Sequence, residues 1–205
     1  MVPWLWHVTR HALTIVHEAG HAGVARLVGR KVSGIRVHSD TSGLTLSSGR
    51  ARGPGMVATG AAGYTAPALV GLGAAWLTSQ GYAVGVLWAL LVLLVLVLLM
   101  IRNWYGLWAV LVSGVVLVGV TVWGSPELQV AFAYGLVWFL LLGAPRAVIE
   151  MQHHRRRSSG LDTSDAGLLG RLTHLPGAVW VLILFLVCMA ALVIGGAWLI
   201  GFALI

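Results

Sequence analysis

One cysteine, Cys188, stands in 205 residues, and it lies inside an apolar run. A lone cysteine excludes a disulfide framework and a cysteine-based zinc site, leaving core or lipid-facing packing as its role. Charge is scarce too: 9% of residues are charged and only six are acidic. No stretch is both long and polar enough to form a separate water-soluble domain, so residues 1–205 read as a single membrane-embedded unit. What remains is 59% hydrophobic, the composition of an integral membrane protein. The first apolar segment lacks a basic n-region, so it reads as a retained span and not as a cleaved signal peptide.

The formal charge of +7 raises the question of nucleic acid, and its distribution answers it. Arg30, Lys31, Arg36, Arg50 and Arg52 follow the first apolar segment, and Arg102 follows the third. Arg146, Arg155, Arg156, Arg157 and Arg171 gather around and beyond the end of the fifth. The alternate links, near Ser79-Gln80-Gly81 and Gly124-Ser125-Pro126-Glu127, carry no basic residue. This asymmetry predicts cytoplasmic loops at about 30–54 and 149–164, with both termini outside. The arginine run then faces anionic lipid headgroups, and nucleic acid is not a partner.

The pattern predicts an all-α polytopic membrane protein with six spans near 4–28, 55–78, 82–101, 104–123, 128–148 and 177–204. Each is close to the ~20 residues needed to cross a bilayer. The third, with its unbroken leucine and valine run, reads as the most lipid-exposed. The second, rich in glycine and alanine, reads as the close neighbour of the first, with Pro67 kinking it. Between them, residues 31–48 alternate apolar and polar around Ser39-Asp40-Thr41-Ser42-Gly43, the pattern of a small cytoplasmic-side β-hairpin. A two-stranded hairpin is marginal alone in water, so it is expected to lie against the helices. Residues 163–174, closed by Pro176, read as an interfacial or re-entrant helix.

Chemistry concentrates in the first span. His17-Glu18-Ala-Gly-His21 sets two imidazoles one helical turn apart, where both can reach one metal ion. Glu18, beside them, is placed to take a proton from water at that metal. On a helix, His7, His11, Thr14, His17, Glu18 and His21 share about 120° of arc. An ionisable side chain inside a membrane helix costs about 3 kcal/mol on insertion scales, so this stripe calls for a partner. Zinc is the expected cofactor; a hydrogen-bonded polar stripe without metal is the plain alternative.

Catalytic zinc commonly takes three protein ligands. Glu18 reads as the base, Glu127 falls on the wrong side of the membrane, and Asp40 suits a turn. Glu150, Asp162 and Asp165 remain open as third ligand. Asp162 and Asp165 also suit helix capping, and both roles hold together if Asp162 or Ser164 caps while Asp165 turns inward. Tyr64 reads as a structural tyrosine or as a side chain facing the site.

These motifs resemble the site-2 protease family of intramembrane zinc metallopeptidases, in the form of its small, domainless, actinobacterial-type members. The likeness rests on His17-Glu-Ala-Gly-His21, the hairpin, the glycine-rich second span, and Ser164-Asp165-Ala-x-x-Leu-x-x-Leu-Thr173 before the last span. It implies zinc on His17, His21 and Asp165, with Glu18 as general base. It implies cleavage in or near a transmembrane segment of a membrane-protein substrate, in a bacterial plasma membrane with the site toward the cytoplasm. Known members carry Asn-x-x-Pro or Asp-Gly around the late aspartate, whereas here Asp165 is followed by Ala166. An extended substrate strand is expected to add to the hairpin edge, with Val37, Leu44 and Tyr64 as substrate-binding residues.

Two other functions fit parts of the pattern: a catalytically silent relative that binds another membrane protein, and an ion transporter using the histidine stripe. Intact Glu18 argues against the first, and the almost purely apolar later spans argue against the second. His7, His11, His153 and His154 carry no assigned role, and the sequence fixes neither substrate identity, any required prior cleavage, nor oligomeric state.

Overall fold

In a computed structural model, which describes residues 3–157 and 162–201, the chain is mostly helical with one two-stranded sheet. The elements are α1 (Pro3–Leu27), β1 (Lys31–Val37), β2 (Gly43–Ser48), α2 (Pro54–Ser79), α3 (Ala83–Met100) and α4 (Trp104–Trp123). They continue as α5 (Pro126–Arg157), α6 (Asp165–Thr173) and α7 (Gly177–Leu199). All six expected spans are helices, although residues 202–204 of the last lie outside the described residues. So do 158–161 of the loop at 149–164.

Among the described residues four helices, α3, α4, α5 and α7, are long and apolar enough to cross a membrane, not six. The difference has a physical source. Arg10, Glu18, Arg26 and three described histidines interrupt α1, and α2 is built largely from glycine, alanine and threonine, which contribute little hydropathy. Nor is α3 the least covered helix. Only 17% of the most apolar stretch of α7 is buried, against 28% for α3, because α7 packs through a narrow stripe at Leu184, Cys188, Ala191 and Gly195.

Local chemistry sets the element ends. Gly29 takes φ 77° after α1, and Arg30 N–H donates to Ala25 O at 2.8 Å, a helix stop that suits glycine. Pro54 opens α2, where its missing N–H costs nothing. Ser164 caps α6 by accepting from Gly167 N–H at 3.1 Å. Pro67 and Pro145 both sit inside continuous helices.

Small residues hold α1 against α2. A methyl group on Gly20 would strike Ala66 Cβ and Ala62 O, so the helices meet at a distance only glycine permits. The hairpin pairs Lys31 with Ser48 through Val37 with Gly43, with a bulge between Val32 and Gly34. Its buried side, Ile35 and Val37, packs on Ile15, Ala22, Val97, Ile101 and Val110. The outer edge of β1 is closed by the α3–α4 link. Arg102 N–H donates to Ile35 O at 2.9 Å, Asn103 Nδ2 donates to Val37 O at 2.7 Å, and Val37 N–H donates to Asn103 Oδ1 at 3.2 Å. The outer edge of β2 instead borders a cavity.

Asn103→Leu removes two hydrogen bonds to Val37 and leaves its backbone groups unsatisfied. It is expected to destabilise the fold by about 1–3 kcal/mol, read as a lower thermal midpoint in detergent; an unchanged midpoint contradicts this role.

Candidate metal centre

A cavity of about 470 Å³ opens between α1, β2, α2, α5 and α6. Its lining includes His17, Glu18 and His21 from α1, Leu44 and Thr45 from β2, Tyr64 from α2, and Asp165 from α6. Helix geometry puts both imidazoles on the face of α1 that looks at α2. Gly63 stands opposite them on α2, where a methyl group would run into Nε2 of both His17 and His21. The absent side chain is the space in which the rings meet.

His21 Nδ1 lies 2.7 Å from Thr59 O, and a carbonyl only accepts, so Nδ1 donates. That bond fixes the tautomer and leaves the Nε2 lone pair for a metal. His21 Nε2 is 3.1 Å from His17 Nε2 and 3.2 Å from Asp165 Oδ2, and His17 Nε2 is 3.3 Å from the same oxygen. Among the described residues this is the one cluster of histidine, cysteine and carboxylate groups close enough to share an ion. A tetrahedral zinc with bonds of ~2.0–2.2 Å sets its donors about 3.3–3.5 Å apart, so the three groups fit the ion. The rings of His17 and Tyr64 meet edge to face at 4.6 Å, which fixes the first imidazole.

Glu18 is buried, 3% exposed. Thr45 Oγ1 donates to Glu18 Oε2 at 2.6 Å and also lies 3.1 Å from Glu18 O, so the hairpin holds the carboxylate in one rotamer. Gly43 lies against the same side chain, and a methyl group there would strike Oε1. Thr14 Oγ1 donates to Thr41 O at 2.8 Å, tying the hairpin tip to α1.

The other acidic residues are occupied elsewhere. Asp162 accepts from Arg155 Nε at 2.7 Å and Ser164 Oγ at 2.6 Å. Burial pushes its carboxyl up, but these two partners prevail and hold it below the usual carboxylate range. Glu150 accepts from Trp6 Nε1 at 2.7 Å and pairs with Arg146 at 3.1 Å. Asp40 forms the hairpin turn, where Ser42 hydrogen bonds hold its carboxyl low.

Of the positions expected to contact substrate, Leu44 and Tyr64 line the cavity. Val37 does not: it lies fully buried on β1, against α1 and the α3–α4 link, because that side of the hairpin is its core side. His11 also departs from the stripe. Its Nε2 lies 2.8 Å from Tyr105 Oη, and its side chain lines a separate apolar cleft toward α3, α4 and α5. His153 and His154 are exposed at the end of α5, and the side chain of His7 lies outside the described residues. Thr45, Thr59, Gly43 and Gly63 escape the sequence reading because their roles are contacts across elements, with no motif to mark them.

A profile of the Peptidase M50B-like family matches residues 1–195, and the chain belongs to this family, that of the site-2 proteases. It is thus an integral membrane protein of a metallopeptidase family. No curated protein and no solved structure matches it.

Gly63→Ala is expected to lower bound zinc at least tenfold by filling the space between the imidazoles, while Gly73→Ala, which meets nothing within 4 Å, leaves it unchanged. Metal content of purified protein checks this; equal zinc in both variants contradicts it.

Proposed function

We propose that the protein is an intramembrane zinc endopeptidase that hydrolyses a peptide bond in or near a transmembrane segment of a membrane-protein substrate. The observation that carries this is the convergence of His17, His21 and Asp165 within 3.3 Å, in an open cavity that also holds Glu18. A zinc ion bound there supplies a Lewis acid for the scissile carbonyl and lowers the pKa of water to about 7. His17, His21 and Asp165 would hold it, and the Thr59 carbonyl keeps His21 in the tautomer that leaves Nε2 free to bind. Glu18 takes the proton from the attacking water and returns it to the leaving amine. Thr45 occupies Oε2, which leaves Oε1 as the atom that carries the proton.

A substrate helix hides its carbonyls in its own hydrogen bonds, so the segment to be cut must be unwound. The outer edge of β2 supplies backbone partners for it, since β1 is already closed by Arg102 and Asn103. Leu44 and Tyr64 offer apolar contacts beside that edge. The distribution of basic residues supports a cavity mouth toward the cytoplasm and both termini outside.

Glu18→Gln is expected to abolish cleavage of a reconstituted membrane substrate with zinc content near wild type, and His17→Ala or His21→Ala to lose both. Asp165→Asn is expected to lower zinc affinity and activity at least tenfold, whereas Asp162→Asn stays within about twofold. Proteolysis retained in Glu18→Gln contradicts the enzyme, and a silent Asp165 beside a sensitive Asp162 contradicts the ligand set.

A further inference from the structure

Arg10 is the one lysine or arginine that lines the catalytic cavity among the described residues. It precedes His17 by seven residues, so the two share a face of α1 and stand about 10 Å apart along it at ~1.5 Å per residue. Its guanidinium turns to Glu150, with Nε 3.5 Å from Oε2.

The charge around Arg10 does not balance. Two guanidiniums, those of Arg10 and Arg146, face one carboxylate, Glu150. Arg146 holds the closer pairing, with its Nε 3.1 Å from Oε1, and its guanidinium also stacks 4.0 Å above the Trp6 ring. Trp6 donates to the same Oε1. Glu150 Oε2 is buried without a hydrogen bond, and Arg10 Nε approaches it only to 3.5 Å. Charge-assisted bonds close to ~2.7–2.9 Å, so Arg10 is held loosely while Glu150 is already served by Arg146 and Trp6. One positive charge is left over at the cavity wall. An arginine at the cavity wall with five donors and, among the described residues, one loose side-chain partner is poised to receive a second anion.

We infer that Arg10 is a specificity-determining residue that receives a substrate carboxylate. The inference rests on the protease reading above. An extended substrate on the β2 edge advances ~3.3 Å per residue, so about 10 Å corresponds to the third residue from the scissile bond. Thr14, one turn from Arg10, is tied to Thr41 at the hairpin tip, so that residue lies on the tip side. The substrate class is therefore a membrane segment with aspartate or glutamate three residues from the cut.

The test is a series of peptides from one cleaved membrane segment, each with Glu or Gln at a single position from five residues before the scissile bond to five after. In wild-type protein in liposomes, kcat/KM is expected to favour Glu about tenfold at the third position on one side, and nowhere else. Arg10→Gln is expected to erase that preference, bringing kcat/KM for the Glu and Gln peptides to the same value, and Arg10→Lys to keep part of it. Absence of a Glu preference, or its survival in Arg10→Gln, overturns the assignment. Should Arg10→Gln fail to fold, Glu150→Gln, which removes the nearest competing anion, is expected to raise the preference; an unchanged or lower value overturns it. Fluorescent forms of the same peptides, bound to Glu18→Gln protein, separate this assignment from the protease reading. Arg10-dependent Glu preference in binding without cleavage by wild type leaves the carboxylate site standing and removes the protease. Cleavage without preference does the reverse.

Discussion

The close approach of α1 to α2 is the constraint on which the site depends. In lipid there is little hydrophobic force between helices, so contact is set by how near the backbones come. Gly20 brings α1 onto Ala62 and Ala66, and Gly63 leaves the gap that the two imidazoles fill. Only at that distance does the Thr59 carbonyl reach His21 Nδ1 and set its tautomer. The third group, Asp165, arrives because Ser164 starts α6 one residue earlier, and because Leu169 of α6 packs beside Gly60 of α2. The glycines of α2 thus serve two purposes, close packing and room for the donors.

The hairpin joins this centre to the rest of the bundle. One strand is stitched to the α3–α4 link through Arg102 and Asn103, and the other touches Glu18 through Thr45 and Gly43. A shift of the hairpin therefore moves Glu18, and a strand added to β2 would sit beside it. In the proposed function, substrate presentation and proton transfer would share one element.

Much of this was legible in the sequence. His17, Glu18 and His21 are read from a helical spacing, because the period of a helix is local and needs no tertiary knowledge. The hairpin follows from alternation around a turn, and the pairing of α1 with α2 from the small residues of the second span. Asp165 remained one of three candidates, since capping and ligation ask for the same residue types at the start of a helix; the cap proves to be Ser164. Val37 was misplaced because alternation says which side chains share a face, not which face meets the core. Four of the six expected spans meet the length and hydropathy of a membrane helix; the charged stripe of α1 and the glycine-rich α2 do not, because their mutual contact is something hydropathy does not measure. Thr45, Thr59 and Arg10 act across 27 to 140 residues of chain, where no local pattern exists.

The central claim is one metal ion held by two imidazoles and a carboxylate. Zinc-edge X-ray absorption on the purified wild-type protein measures it most directly. The account predicts a four-coordinate ion with nitrogen and oxygen neighbours at ~2.0–2.2 Å, two of them imidazole, and no sulfur. A shell with sulfur, with one or no imidazole, or with no stoichiometric zinc would contradict it.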